Sequence, residues 1–289
     1  MNDNSGHRKI VRKPEWLRVP VIGGTKFEHV DHLVKGLGLN TVCREANCPN
    51  RGECFNRGTA TFLILGSKCT RNCRFCDIEI GRPAPPDAGE PARTAEAARL
   101  LDLKYVVVTS VTRDDLADGG ANHFAATVAE IRKVLPEAGI ELLTPDFKGS
   151  SEAARVIIRS CPDVFNHNVE TVPRLYSKVR PAAKYDCSLT LLRQVHNESD
   201  IRTKSGLMLG LGERREELVT VFADLAEVGV SILTMGQYLS PSSNHLPVER
   251  YVLPDEFSDL KRLALEAGIS QVASGPLVRS SYRADELLP

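Results

Sequence analysis

Neither sign of charge is in excess in this sequence: 37 Lys and Arg stand against 37 Asp and Glu. A protein gripping nucleic acid or an anionic membrane by bulk charge is therefore not expected. No run of residues approaches the length of an apolar membrane span, so no membrane partner is expected either. Met1 to Arg18 lacks the apolar stretch of a secretory signal, and its basic residues (Arg8, Lys9, Arg12, Lys13, Arg18) form too short a run for a mitochondrial transit peptide. A cytoplasmic, reducing setting is the expectation. The remaining composition, 42% apolar and 26% charged over 289 residues, is that of an ordinary globular chain able to bury a large core.

The cysteines are what stand out. Six of the eight fall between Cys43 and Cys76, where an even scatter would place about one. Their spacing makes two triplets: C-x4-C-x5-C at Cys43, Cys48 and Cys54, and C-x3-C-x2-C at Cys69, Cys73 and Cys76. A disulfide framework suits short secreted domains with too little core, which this chain is not. Structural zinc takes a closed set of four ligands, usually from paired C-x2-C-like halves, and neither triplet offers that pairing cleanly. Three close thiolates can instead hold three corners of a four-iron cluster and leave one iron for another ligand. A zinc-stabilised binding module stays open as an alternative to an iron–sulfur enzyme.

From Thr61 onward the sequence alternates apolar runs with helix-period segments. Strands are predicted at Thr61–Leu65, Tyr105–Ser110, Ile140–Thr144, Val164–Val169, Gly206–Leu211 and Ser231–Met235. Helices are predicted at 121–135, 151–159, 172–178, 189–196, 218–228 and 255–267. Six such units form a partial (β/α)6 barrel of the TIM type, an α/β fold short of full closure. The polar segments follow the strands: CTRNCRFC, TRDD, PDFKG, HNVET, GLGE and QYLSPS. Barrel active sites gather at that end. The expected organisation is an N-terminal extension over residues 1–60 carrying the first triplet, the barrel over 61–268, and a C-terminal segment over 269–289.

The second triplet, with Phe75 directly before its last cysteine and a strand before its first, resembles the signature of radical S-adenosylmethionine (SAM) enzymes. With the first triplet added, nearly the whole chain resembles the lipoyl synthases. KPEWLR, CREANCPNRGEC, CTRNCRFC, TSVTRDDLADGGANHF, PDFKG, FNHNVETV, GLMLGLGE, GQYLSPSSNHLPV and GPLVRSSY carry the likeness. A biotin synthase-like sulfur-inserting enzyme is the alternative within the class, and the first triplet and RSSY weigh against it.

The resemblance implies two 4Fe–4S clusters and SAM as cofactors. Cys69, Cys73 and Cys76 would hold the cluster that binds SAM, with Phe75, Asn168 and Glu170 beside that cofactor. Cys43, Cys48 and Cys54 would hold an auxiliary cluster, with Ser281 rather than Ser280 as its fourth ligand, and this cluster would be the sulfur donor. The implied reaction places two sulfur atoms at C6 and C8 of a protein-bound octanoyl group. The implied partners are octanoylated lipoyl-carrier domains (2-oxoacid dehydrogenase E2 subunits and the glycine cleavage H protein), a ferredoxin- or flavodoxin-type electron donor and an iron–sulfur carrier protein.

Other residues carry plainer expectations. Cys161 and Cys187 read as buried packing thiols. His167 reads equally as a SAM-site residue or a satisfied structural histidine, and Asp114 with Asp115 as a helix cap. Gly210, Gly212 and Glu213 resemble a SAM-site segment, and Arg279 either orients the auxiliary region or lies at the surface.

Overall fold

The computed structural model describes residues 12–19 and 23–287; Arg8 and Lys9 of the basic start lie outside them. Helix α1 (Thr25–Gly36) buries Val30 and Val34, and the short strand β1 (Asn40–Thr41) follows it. Helices α2 (Val42–Glu45) and α3 (Arg51–Asn56) then carry Cys43 and Cys54. Segments this short do not hold themselves together. Phe27 of α1 meets Phe55 of α3 at a ring-centroid distance of 5.3 Å, and the Arg51 guanidinium lies over both rings.

Strand β2 (Thr61–Ile64) begins the barrel, and the two-residue strands β3 (Lys68–Cys69) and β4 (Glu79–Ile80) bracket the second cysteine triplet. Then come α4 (Glu90–Leu100), β5 (Tyr105–Ser110), α5 (Ala121–Val134), β6 (Gly139–Leu143), α6 (Ser151–Arg159) and β7 (Val164–Asn166). Helices α7 (Tyr176–Val179) and α8 (Tyr185–Glu198) lead to β8 (Arg202–Leu209) and α9 (Arg215–Glu227). Strand β9 (Ile232–Gln237), α10 (Pro254–Glu266) and β10 (Gln271–Gly275) complete the run. The sheet order is β1-β2-β5-β6-β7-β8-β9-β10, parallel throughout except for the antiparallel β1. Strands β2 and β10 are not neighbours, so the barrel is open.

The β-branched run of β5 is buried as expected, with Val106, Val107 and Val108 all in the core. Helix α4 is not among the predicted helices, and three strands also depart from the sequence expectation. A seventh parallel strand, β10, joins the edge of β9; its residues Gln271, Ser274 and Gly275 hide it from hydropathy, and the register against β9 places it. Strand β8 starts at Arg202 instead of Gly206, because Lys204 enters the barrel interior as one half of a buried pair. Its ammonium lies 2.9 Å from both oxygens of Glu141, which also accepts from Asn166 at 2.7 Å and from Tyr105 at 2.9 Å. So complete a set of partners is what makes a buried charge tolerable. Strand β7 stops at Asn166 because the chain turns through Glu170 at φ 66, where only a single bridge to Leu207 continues the pairing.

Candidate active site

The second triplet sits on a loop that leaves β2 through Leu65 at φ 68 and Gly66 at φ 95. Backbone bonds pin this loop from several sides. Gly81 donates to the Cys69 carbonyl at 3.0 Å, Thr70 to Thr112 at 3.1 Å, and Arg74 to Val179 at 2.9 Å. Leu246 donates to Arg74 at 3.2 Å, and His245 Nε2 lies 3.1 Å from the Cys76 carbonyl. The Cys69 sulfur accepts from the N–H groups of Arg71 and Thr112, each at 3.4 Å. Such bonds stabilise a thiolate and fix its direction.

Arg71 is the anchor of the loop. Its guanidinium is 5% exposed and binds two carboxylates at once: Asp114 at 2.7 and 2.9 Å, and Asp146 at 2.8 and 2.7 Å. The planar fork of arginine suits two such contacts, and a lysine could not make them. Burial pushes the Asp146 carboxyl up, but the Arg71 bonds outweigh it and hold the group below its ordinary value. The loops after β2, β5 and β6 are thus tied to one cation. Asp114 and Asp115 therefore do not cap a helix: α5 begins later, at Ala121, and Asp115 pairs with Arg113 at 2.8 Å.

Burial raises Cys73 to about 11 and Cys76 to about 12; the nearby Cys69 thiol pushes both up further, and Cys73 does the same to Cys76. Without a cation Cys73 and Cys76 stay neutral; a metal that displaces the protons supplies the charge they lack. Glu170 faces Cys73 and Cys76, and burial raises its carboxyl. Asn168 donates to Glu170 at 3.1 Å, and Arg180 donates to the Asn168 carbonyl at 2.8 Å. Phe75 packs, partly buried, against the core.

His167 is a satisfied structural residue. Its Nδ1 donates to the Thr144 carbonyl at 2.8 Å and its Nε2 accepts from Ser188 at 2.9 Å, the tautomer that a carbonyl partner requires. Burial holds its pKa down at about 4. The unfolded chain would bind that proton near pH 6.5, so between about 6.5 and 4 acid favours unfolding. The urea midpoint of the apo chain is expected to fall across that window, with His167 contributing roughly 3 kcal/mol at its lower end. His167→Gln should flatten the pH dependence; equal steepness in both chains would remove His167 as its cause.

The first triplet lies on the N-terminal extension beside the end of the chain. Burial raises Cys43 to about 11 and Cys54 to about 12, and raises Cys48 as well. Cys43, Cys54 and Ser281 line one cavity of about 270 Å³ with Thr61, Tyr105 and Val107. The C-terminal segment is clasped onto α3: Tyr282 donates to Glu53 at 3.0 Å, Arg283 to Glu53 at 3.0 Å, and Arg57 to Glu286 at 3.3 Å. Asn50 donates to the Leu277 carbonyl at 2.7 Å. The two serines of RSSY face different ways. Ser281 accepts from Thr61 at 2.8 Å beside the first triplet, whereas Ser280 and Asn168 exchange hydrogen bonds of 2.6 and 2.9 Å.

These thiols fit a multi-metal core better than a single ion. Among the described residues no three His, Cys, Asp or Glu side chains converge tightly enough to hold one metal ion. All eight cysteines are free thiols. Arg279 is partly buried next to Cys48 and, among the described residues, has no carboxylate partner. An iron–sulfur cluster with thiolate ligands supplies the negative charge that this guanidinium lacks.

Sequence reasoning found the cysteines but missed Arg71, Asp146, Thr61 and His245. Arg71 lies in plain view inside CTRNCRFC, yet nothing in a sequence tells a buried arginine from a solvated one. Glu213 turns inward to accept from the backbone of Gly210 at 2.6 Å and Leu211 at 2.9 Å, shaping its own turn. Cys161 is exposed, contrary to expectation, in a turn at φ 52, and Cys187 is half-buried.

An open parallel barrel carrying a cysteine triplet on its first loop is matched, over residues 63–225, by the sequence model of the Radical SAM superfamily. The fold is also similar to the FeFe-hydrogenase maturase HydG from Carboxydothermus hydrogenoformans, with TM-score 0.58 and 13% identity over 90% of this chain and 76% of that one. Two curated relatives are far nearer in sequence. The lipoyl synthase of Caldanaerobacter subterraneus subsp. tengcongensis is 56% identical over 95% of this chain and 96% of its own length. That of Aliivibrio fischeri (strain MJ11) is 53% identical over 96% of this chain and 88% of its own. The chain belongs to the lipoyl synthase family. The zinc module and the biotin synthase-like alternative both give way to that membership.

Proposed function

We propose that the two cysteine triplets divide one reaction between them. The chain is an enzyme, a radical SAM sulfurtransferase that inserts two sulfur atoms at C6 and C8 of a protein-bound octanoyl group. It uses SAM and two 4Fe–4S clusters, and its substrate is a lipoyl-carrier protein. When bound, these cofactors supply a 5′-deoxyadenosyl radical at one site and sulfur at the other, which an unactivated C–H bond needs because no side chain can attack it.

In this reading Cys69, Cys73 and Cys76 hold the SAM-binding cluster on the loop that Arg71 fixes. Glu170 and Asn168 accept and donate at the polar groups of SAM, and Phe75 closes the apolar side. Cys43, Cys48, Cys54 and Ser281 hold the auxiliary cluster; a serine oxygen is a harder, poorer partner for iron than a thiolate and leaves more readily. The barrel wall between the two sites excludes water and holds the acyl chain in place. The observation that carries this reading is the Asn168–Ser280 pair, which joins the strand end facing one triplet to the segment packed on the other.

The finer partners follow from the chemistry. The carriers are the E2 subunits of 2-oxoacid dehydrogenases and the glycine cleavage H protein, whose lysine-linked acyl arms can reach into a barrel. Reductive cleavage of SAM calls for a low-potential ferredoxin or flavodoxin, and loss of sulfur calls for an iron–sulfur carrier protein to rebuild the site. A cytoplasmic setting suits a chain whose thiols must stay reduced; no helix among the described residues is long and apolar enough to cross a membrane.

The test is anaerobic reconstitution followed by incubation with SAM, reductant and an octanoyl-lysine peptide. About eight irons per chain, two sulfurs added by mass spectrometry and 5′-deoxyadenosine formed are the expected results. A colourless protein with zinc and no iron would overturn the reading.

A further inference from the structure

Thr61 opens β2 at 7% exposure, and its polar groups touch two members of the auxiliary set. Its hydroxyl donates to Ser281 Oγ at 2.8 Å, and its backbone lies beside the Cys43 thiol. It also lines the cavity that Cys43, Cys54 and Ser281 share. Ser281 lies outside any helix or strand, so its side chain takes its direction from such contacts, whereas Thr61 is held in register by pairing with Val107 of β5. Hydrogen bonds given to a ligand atom orient it and draw electron density away from the metal, which raises a cluster's potential.

We propose that Thr61 is a positioning residue for the sulfur-donating site: its hydroxyl aims the Ser281 oxygen toward the neighbouring thiols and sets how firmly that oxygen binds iron. This rests on the reading of Ser281 as the fourth ligand. Thr61→Val removes the hydroxyl while keeping the side chain's shape and the backbone contact to Cys43. Thr61→Ser keeps the hydroxyl.

The experiment uses the full chain with Cys69→Ala, Cys73→Ala and Cys76→Ala, so that iron and sulfide load only the auxiliary site, followed by redox titration with an electron paramagnetic resonance readout. Thr61→Val is expected to shift the cluster to a more negative potential, and Thr61→Ser to leave it in place. With all cysteines intact, Thr61→Val should lower the lipoyl groups formed per 5′-deoxyadenosine about tenfold, with Thr61→Ser near normal. Where valine prevents loading, Thr61→Ala serves in its stead. An unchanged potential would overturn the proposal. So would an equal shift in the Ser281→Ala background, which would mean that Thr61 acts elsewhere. A Ser281→Ala cluster with a spectrum identical to its parent would instead sink the ligand reading, and the proposal with it.

Discussion

A Ser281→Ala chain is expected to form both clusters and to cleave SAM, yet to insert sulfur about 100-fold more slowly or not at all. The substitution touches one side of the molecule only. Ser281 bonds Thr61 and lines the cavity with Cys43 and Cys54, while the SAM loop is held by Arg71, Thr70, Arg74 and His245. Removing the hydroxyl therefore leaves the radical site its full set of contacts. Uncoupled 5′-deoxyadenosine formation at near-normal rate, with lipoyl product missing by mass spectrometry, is the signature. Normal lipoyl yield would show that the serine oxygen has no part in sulfur donation. Ser280→Ala makes the contrast, since it breaks the link to Asn168 and should raise the SAM concentration required.

The second large effect is structural. Arg71→Ala leaves Asp146, 3% exposed, and Asp114 with no guanidinium between them. Leaving a buried charge unpartnered costs about 3–5 kcal/mol, a large share of what holds a domain folded. The loops after β5 and β6 would repel where they now converge and the loop after β2 would lose its tie to both, so the triplet at Cys69, Cys73 and Cys76 should lose its cluster first. Iron content near half the parent value, no SAM cleavage and a lowered unfolding midpoint are the expected results. Arg71→Lys should rescue little, because one ammonium cannot bridge two carboxylates in the geometry seen here. Full iron loading in Arg71→Ala would show that the cysteine loop is held by its backbone bonds alone.

Hydrophobic runs and cysteine spacing made most of this molecule legible in advance, for a physical reason. A parallel strand buried on both faces must be apolar along its length, so Val106 to Val108 declare themselves. Ligand triplets need thiols at short intervals, so they too are written in order. What stayed hidden depends on partners far away in the chain. Lys204 and Glu141 read as surface residues until their strands adjoin, and Arg71 until three loops meet. Strand β10 offers a single well-buried apolar residue, Val272, and owes its place to β9. Cys161 is the opposite case: its thiol reads as core, but its backbone lies in the left-handed region of a turn, which keeps it at the surface.

Strand β2 runs from Thr61, beside the first cysteine triplet, to Ile64, just before the turn into the loop of the second. Three steps of about 3.3 Å separate these two residues, and the strand is hydrogen-bonded to β1 on one edge and β5 on the other. A segment paired on both sides cannot lengthen or slip without breaking two ladders. On the proposed assignment, the interval between sulfur source and radical source is thus set by a backbone segment held on both edges. On that assignment, adding or deleting a residue in β2 would alter the interval and break the pairing with β1 and β5.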